Sequence, residues 1–225
     1  MTMISRRTLF KGAGAATLAT LASPAFAEDK VKVGFIFLGP IGDYGWTWAH
    51  NKGREALVSE LGDKIETIYV ENVAEDASAI PVLRDLAQQG CKLIFTTSFG
   101  YMDQTLEVAA EFPDVKFEHC TGYKRADNVA TYNSRFHEGR AVLGTIAGKM
   151  SKTGVLGYLG SFKIPEVVLG VNSFALSAQK QNPAVVVKVL MIDSWFDPPK
   201  EAAATETLIN LGCDLVTTHT DSPAP

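Results

Sequence analysis

The chain has 225 residues, of which 46% are hydrophobic and 20% are charged, and its formal net charge is -4. A chain of this length and composition is expected to be globular, with one large core or two small ones. The acidic balance argues against nucleic acid as a partner, because phosphate binding needs a basic stripe. Three scattered cysteines provide neither a disulfide framework nor a zinc site.

Residues 1–27 are predicted to be an export signal. The pair Arg6-Arg7 comes first, an apolar run follows from Gly12 to Leu21, and Ala25-Phe26-Ala27 offers the small residues that signal peptidase accepts. The apolar run is too short to be a permanent membrane anchor. Paired arginines favour twin-arginine export, with general secretion as the alternative. No cysteine lies near the cleavage site, so we expect a soluble periplasmic protein and not a lipoprotein.

From Val31 onward, short apolar strands alternate with helical patterns, which predicts an α/β fold with parallel sheets flanked by helices. Four strands are expected in the first part of the chain, at Val31 to Leu38, Ile65 to Val70, Leu93 to Thr97 and Val115 to His119. Three helices are expected to connect them, at Trp46 to Leu61, Ser78 to Gly90 and Tyr101 to Phe112.

A second cycle of strands and helices is expected after a helix from His137 to Met150. Its strands are predicted at Val155 to Leu159, Val185 to Ile192 and Leu215 to Thr218, with helices at Val167 to Gln179 and Pro199 to Leu211. We therefore assign residues 28–135 to an N-terminal lobe, and residues 136–225 to a crossing helix and a partial C-terminal lobe.

An internal match indicates that the two lobes follow one plan. Residues 89–98 align with residues 211–220, and Gly34 and Gly157 precede these segments by nearly equal distances. Chance similarity between α/β units is the alternative.

If the lobes are equivalent, Phe99 and Asp221 occupy matching loops at the carboxyl ends of strands, where open parallel sheets bind ligands. The second lobe has three expected strands against four in the first, and the sequence then reaches Pro225. We therefore expect the second lobe to be incomplete, since a sheet that stopped there would leave an exposed edge.

Sequence motifs for catalysis are lacking. No G-x-S-x-G, P-loop or H-E-x-x-H pattern occurs, and the four histidines are far apart. The sequence instead places aromatic residues beside carboxylates, with Asp43 and Trp46 at the start of the first helix and Trp195 after a strand of the second lobe. One aromatic residue from each lobe could sandwich a planar ligand, while carboxylates accept hydrogen bonds from its N–H groups. Packing of the tryptophans under loops, and capping or solvated roles for the aspartates, are the alternatives.

Residues 33–36, followed by the segment Gly42-Asp43-Tyr44-Gly45-Trp46, resemble the opening of the basic membrane protein family, the PnrA-like substrate-binding proteins of ABC importers. The resemblance continues through residues 98–103, 112–117, 137–140, 152–154, 164–165, 194–200 and 219–222. It implies a type I periplasmic binding protein fold, in which the chain crosses between two lobes three times. Only the first crossing, before His137, is present here.

The resemblance also implies a ligand site. Trp46 and Trp195 fall where the family stacks aromatic rings, often phenylalanine, on the ligand, and the wider indoles suggest a ring of purine size or larger. Glu138, at the crossing, is expected to be structural. The other implied contacts are Asp43 and Asp103 to base or ribose, Ser98, Phe99 and Gly100 along one wall, and Asp221 at a further position of the cleft.

The function expected from these observations is capture without reaction. The cleft would bind a purine base or nucleoside, close by hinge motion and present the closed form to a membrane permease of an ABC importer, with no cofactor. A flavin or another heterocycle remains open as the ligand. A nucleoside-processing enzyme on an α/β scaffold and a non-functional truncated fragment are the other hypotheses.

Overall fold

The computed structural model describes residues 30–42 and 44–225, so the predicted export signal lies outside the described residues. Two separate parallel sheets occur in this part of the chain. In the first, the strand order is β2-β1-β3-β4-β5. Its strands are β1 Val31–Ile36, β2 Ile65–Val70, β3 Leu93–Thr96, β4 Lys116–Cys120 and β5 Val129–Tyr132.

The second sheet has the order β7-β6-β8 within the described residues. Its strands are β6 Val155–Gly160, β7 Val186–Met191 and β8 Leu215–His219. The helices are α1 Trp46–Leu61, α2 Ala79–Gln88, α3 Met102–Glu111, α4 Phe136–Met150, α5 Pro165–Gln181 and α6 Pro198–Asn210. We call the first sheet with α1 to α3 lobe one, and the second sheet with α4 to α6 lobe two.

Between residues 30 and 225, with residue 43 left aside, no helix has both the length and the apolar character that crossing a bilayer requires.

The strand count expected for lobe one was wrong, because β5 had not been predicted. This strand has four residues and pairs in parallel with β4, so that Phe117 lies opposite Val129 and Cys120 opposite Tyr132. Only residues 121–128 connect the two strands, and they contain no helix. Parallel neighbours usually need a longer helical crossover, and the sequence pattern therefore gave no sign of a further strand here.

The two lobes share their strand order and their internal packing. β1 lies between β2 and β3, and β6 lies between β7 and β8 in the same way. A Cβ atom on Gly34 would lie 3.3 Å from Leu86 of α2, and one on Gly157 would lie 3.3 Å from Leu208 of α6. Glycine in the central strand thus lets α2 in lobe one and α6 in lobe two approach their sheets closely.

Helices cover lobe one on both faces of β1. Val33, Phe35 and Phe37 are buried on one face, where Leu57 of α1 packs against them. Ile36 belongs to the opposite core, which is built mainly from α2, α3 and the strands. This two-sided burial explains why β1 is apolar at almost every position and not only at alternate ones.

Helices α4 and α5 pack with almost no space between their backbones. A Cβ atom on Gly144 would overlap the carbonyl oxygen of Phe174, and one on Gly148 would overlap that of Ala178. The two glycines are four residues apart and therefore lie on one face of α4. Their missing side chains let the helix that follows the crossing from lobe one rest directly on α5.

We predict that Gly144→Ala destabilises the protein by about 1–3 kcal/mol, the usual cost of forcing extra atoms into a packed interface. Gly139→Ala on the same helix is the matched control, because a Cβ atom there meets nothing within 4 Å. That change should be neutral or stabilising by up to about 1 kcal/mol, since alanine favours helix over glycine. Urea denaturation of both variants measures the difference, and equal stabilities would contradict the packing argument.

Candidate functional site

A cavity of about 240 Å³ lies between the two lobes, at the carboxyl ends of their strands. Lobe one contributes the start of α1 and the loop after β3, and lobe two contributes the loops after β7 and β8. Aromatic side chains from both lobes line it, namely Trp46, Phe99, Phe136 and Trp195. The cavity between the lobes is therefore lined by aromatic side chains from both of them.

Trp46 is fixed within lobe one. Its indole N–H donates a 2.6 Å hydrogen bond to the carbonyl oxygen of Thr97, at the end of β3. Its ring lies 4.6 Å from the ring of His50 and 5.9 Å from that of Phe136, measured between centroids. Because the polar atom of the indole is already bonded, the ring itself is what Trp46 offers to the cavity.

Buried groups hold the loop from Ser98 to Gly100. The backbone N–H of Gly100 donates a 2.7 Å hydrogen bond to Oε1 of Glu75. Burial raises the pKa of the Glu75 carboxyl, and its hydrogen bonds to Ser98 and Gly100 oppose that shift. Burial lowers the pKa of His119, so this ring stays neutral and its Nε2–H donates to the carbonyl oxygen of Ser98 at 2.9 Å.

Trp195 belongs to lobe two and is joined to the loop after β8. Its carbonyl oxygen accepts a 2.8 Å hydrogen bond from the backbone N–H of Asp221. The Asp221 carbonyl oxygen in turn accepts a 3.3 Å bond from the N–H of Trp46 in lobe one. A Cβ atom on Gly45 would overlap this carbonyl oxygen, so only glycine permits so close an approach of the lobes at position 45.

A polar group on the lobe-two side was not predicted from the sequence. Glu166, in the first turn of α5, accepts a 2.9 Å bond from Asn133 and lies 3.5 Å from Nε2 of His219. Nδ1 of His219 lies 3.3 Å from the hydroxyl of Tyr158, whose pKa burial raises. The tyrosine therefore keeps its proton, and its hydroxyl shares one hydrogen bond with Nδ1 of His219 while Nε2 faces Glu166. Arg140 lines the cavity beside them.

The structure brings together five of the eight residues expected in the site: Trp46, Ser98, Phe99, Trp195 and Asp221 line the cavity. Gly100 does not line it and instead binds Glu75. Asp103 lies on the surface with its side chain 73% exposed, 2.6 Å from Lys124. Asp43 lies outside the described residues.

Two of the residues that sequence reasoning missed follow the same geometric rule as those it found. Glu166 follows the carboxyl end of β6, and His219 is the last residue of β8. Asking which polar side chains follow each strand of lobe two would have found both. Phe136 and Arg140 lie on the first turn and a half of α4 and carry no signal of this kind.

The model of one protein family matches residues 30–223, and its description is an ABC transporter substrate-binding protein, PnrA-like. This match covers most of the chain. The chain belongs to this family.

Curated relatives agree with this assignment. A purine-binding protein from Brucella abortus is 59% identical over 204 residues, which are 91% of this chain and 58% of that protein. A protein from Haloferax volcanii whose name describes an ABC transporter glucose-binding protein is 40% identical over 196 residues. These are 87% of this chain and 50% of that protein. The chain thus spans about half the length of these relatives.

Solved structures establish the fold. A solute-binding protein of an ABC transporter from Aeropyrum pernix aligns with a TM-score of 0.75 at 22% identity, over 86% of this chain and 56% of that one. One from Conexibacter woesei aligns with a TM-score of 0.64 at 23% identity, over 84% of this chain and 64% of that one. The expected type I periplasmic binding protein fold is confirmed, with a small second sheet.

We predict that Glu75→Gln gains stability relative to the wild type as the pH rises. Because burial raises the pKa of Glu75 above 4.5, the native state binds this proton more tightly than the unfolded chain does. The tighter proton binding adds to the free energy of unfolding below pH 4.5, and this contribution is lost as the pH rises through the raised pKa of Glu75. An amide at position 75 has no such loss and can still accept the bond from Gly100.

Urea denaturation at a series of pH values from 4.5 to neutral measures this difference. Glu60→Gln on the exposed face of α1 is the control, and its difference from the wild type should stay flat. A flat difference for Glu75→Gln as well would contradict the burial argument.

Proposed function

We propose that the protein is the solute-binding component of an ABC importer, and that it captures a purine base or nucleoside between its lobes. The observation that carries this proposal is the presence of Trp46 from lobe one and Trp195 from lobe two in one cavity. One indole from each lobe suits a flat ring, and each stacked face contributes about 1–3 kcal/mol. The name of the Brucella relative, a purine-binding protein, supports the same ligand class.

Polar groups at the cavity fit the edge of a purine. Glu166 and Asp221 supply oxygen atoms that accept hydrogen bonds, and Arg140 supplies donors. A purine base carries both donors and acceptors around its rings, so a wall with both kinds of group can bind it in one orientation. In a cleft that excludes water, a donor or acceptor left without a hydrogen-bond partner costs affinity. Rings whose donors and acceptors are arranged differently from those of a purine would therefore bind more weakly.

In this proposal the protein is exported through the signal in residues 1–27 and works in the periplasm. Residues 28–135 and 136–225 form the two lobes that close on the ligand, and the closed form is what the membrane permease recognises. The protein captures its ligand unchanged and needs no cofactor. Chromatography of the bound compound tests this point, because a nucleoside-processing enzyme would release free base and sugar.

Trp46→Ala and Trp195→Ala are each expected to weaken purine binding about tenfold or more, in line with the loss of one stacking face. Isothermal titration of the full-length protein with adenine, hypoxanthine, adenosine and inosine measures the affinities. Trp46→Phe restores a flat face and should recover most of the loss. Trp48→Ala is the matched control, because Trp48 lies on the same helix but packs against Tyr44 and Lys52 and does not line the cavity.

Riboflavin and glucose complete the ligand panel. A ligand held at 100 times its dissociation constant stabilises the folded state by about 2.7 kcal/mol, so a thermal shift identifies the binder before titration. A response to riboflavin or glucose but to no purine would overturn the proposed ligand. Equal losses in Trp46→Ala and Trp48→Ala would contradict the proposed sandwich.

A further inference from the structure

Glu201 is a charged residue with no exposed surface, and the site described above does not use it. It lies in the first turn of α6 and its exposed fraction is 0%. An acidic residue in a first turn ordinarily faces solvent near the positive end of the helix. Moving a carboxylate out of water is costly unless hydrogen bonds replace the lost hydration, so the bonds that Glu201 makes show what holds it there.

One carboxylate oxygen completes the cap of α6. Oε1 accepts a 2.9 Å bond from the backbone N–H of Asp197, and Oδ1 of Asp197 accepts a 3.1 Å bond from the N–H of Lys200. This reciprocal pattern resembles a capping box, with the glutamate one position later than usual. Asp197 lies two residues after Trp195, so this oxygen fixes the end of the loop that carries the lobe-two indole.

The other oxygen does more than capping requires. Oε2 accepts two bonds from the loop after β8, each of 2.7 Å, one from the hydroxyl of Thr220 and one from that of Ser222. These two residues flank Asp221, whose N–H donates to the carbonyl oxygen of Trp195. Ser222 is itself buried, with an exposed fraction of 5%. Glu201 therefore joins two loops that no strand pairing connects.

We propose that Glu201 is the positioning residue for the lobe-two wall of the cleft. Its carboxylate makes the Trp195 loop and the Asp221 loop one unit, so that the indole and the carbonyl oxygen that contacts Trp46 reach lobe one together. This role rests on the proposed function, because it is defined by the ligand that the wall meets. Glu201 does not line the cavity, and it acts on the ligand only through these two loops.

Two variants and a matched control test the role in the full-length protein. Glu201→Ala removes all three bonds and is expected to weaken purine binding about tenfold or more, as for the loss of several buried hydrogen bonds. Glu201→Gln can accept from Asp197 and donate to the two hydroxyl oxygens, so it should recover most of that affinity. Glu206→Ala, on an exposed position of the same helix, should bind like the wild type.

A ligand-free signal separates this role from the proposed function. With fluorinated tryptophan, the ¹⁹F resonance of Trp195 can be assigned by its loss in Trp195→Phe. We expect that resonance to shift and broaden in Glu201→Ala and to return toward the wild-type position in Glu201→Gln. The resonance of Trp48, which packs against Tyr44 and Lys52 in lobe one, should stay in place, whereas general unfolding would move it as well.

Each outcome decides something different. If the wild type binds no purine and the Trp195 resonance still responds to Glu201→Ala, the proposed function fails and the positioning role stands. An unmoved resonance in a folded Glu201→Ala variant, or affinity equal to that of Glu206→Ala, overturns the positioning role. If Glu201→Ala does not fold, Ser222→Ala removes one of the bonds from the opposite side, and it should move the same resonance by a smaller amount. No movement there also overturns the role.

Discussion

Several backbone N–H groups in the loops at the cleft end of each lobe do not bind a neighbouring strand. Side-chain oxygens accept from them instead, which satisfies donors that would otherwise be costly to bury. These acceptors fix loops that would be free to move if water were their only partner. The donor and acceptor pairs are Gly39 with Thr47, Ile41 with Glu71, Gly100 with Glu75 and Asp197 with Glu201. The shape of the cavity depends on them, since these loops carry or adjoin most of its lining.

Much of the fold could be predicted because local signals and tertiary packing agree. α1 runs from Trp46 to Leu61 as expected, and Gly90 and Gly212 both end a helix with positive φ, at 89° and 90°. The strand β5 was not predicted, for a different reason. A four-residue strand gains its stability from pairing with β4, which is a contact that no local pattern encodes. The close packing of Gly144 on α5 was equally invisible, because a glycine in a helix has no apolar side chain to suggest an interface.

Some residues of the candidate site could likewise be predicted from the sequence, and others could not. Trp46 and Trp195 were expected in the cleft because each follows the end of a strand, and parallel strands bring those ends to one edge. Asp103 was placed there by resemblance alone, and the structure puts it on the surface beside Lys124. Glu166 and His219 meet only because α5 and β8 come together in lobe two. The place of each residue at a strand end could have been predicted, but the 3.5 Å contact between their side chains depends on tertiary packing that residue spacing does not encode.

Trp46 and Trp195, on the two sides of the cleft, are held in place by different contacts. Trp46 is bonded to the end of a strand through its indole N–H, whereas Trp195 lies in a loop that is held by hydrogen bonds to another loop. One contact between the lobes runs through the backbone, from the N–H of Trp46 to the carbonyl oxygen of Asp221. At position 45 that contact requires glycine, because a Cβ atom there would overlap the carbonyl oxygen. In the proposed site, substitutions in the aromatic and polar lining are therefore expected to alter ligand preference while the lobes still meet at the same backbone contact.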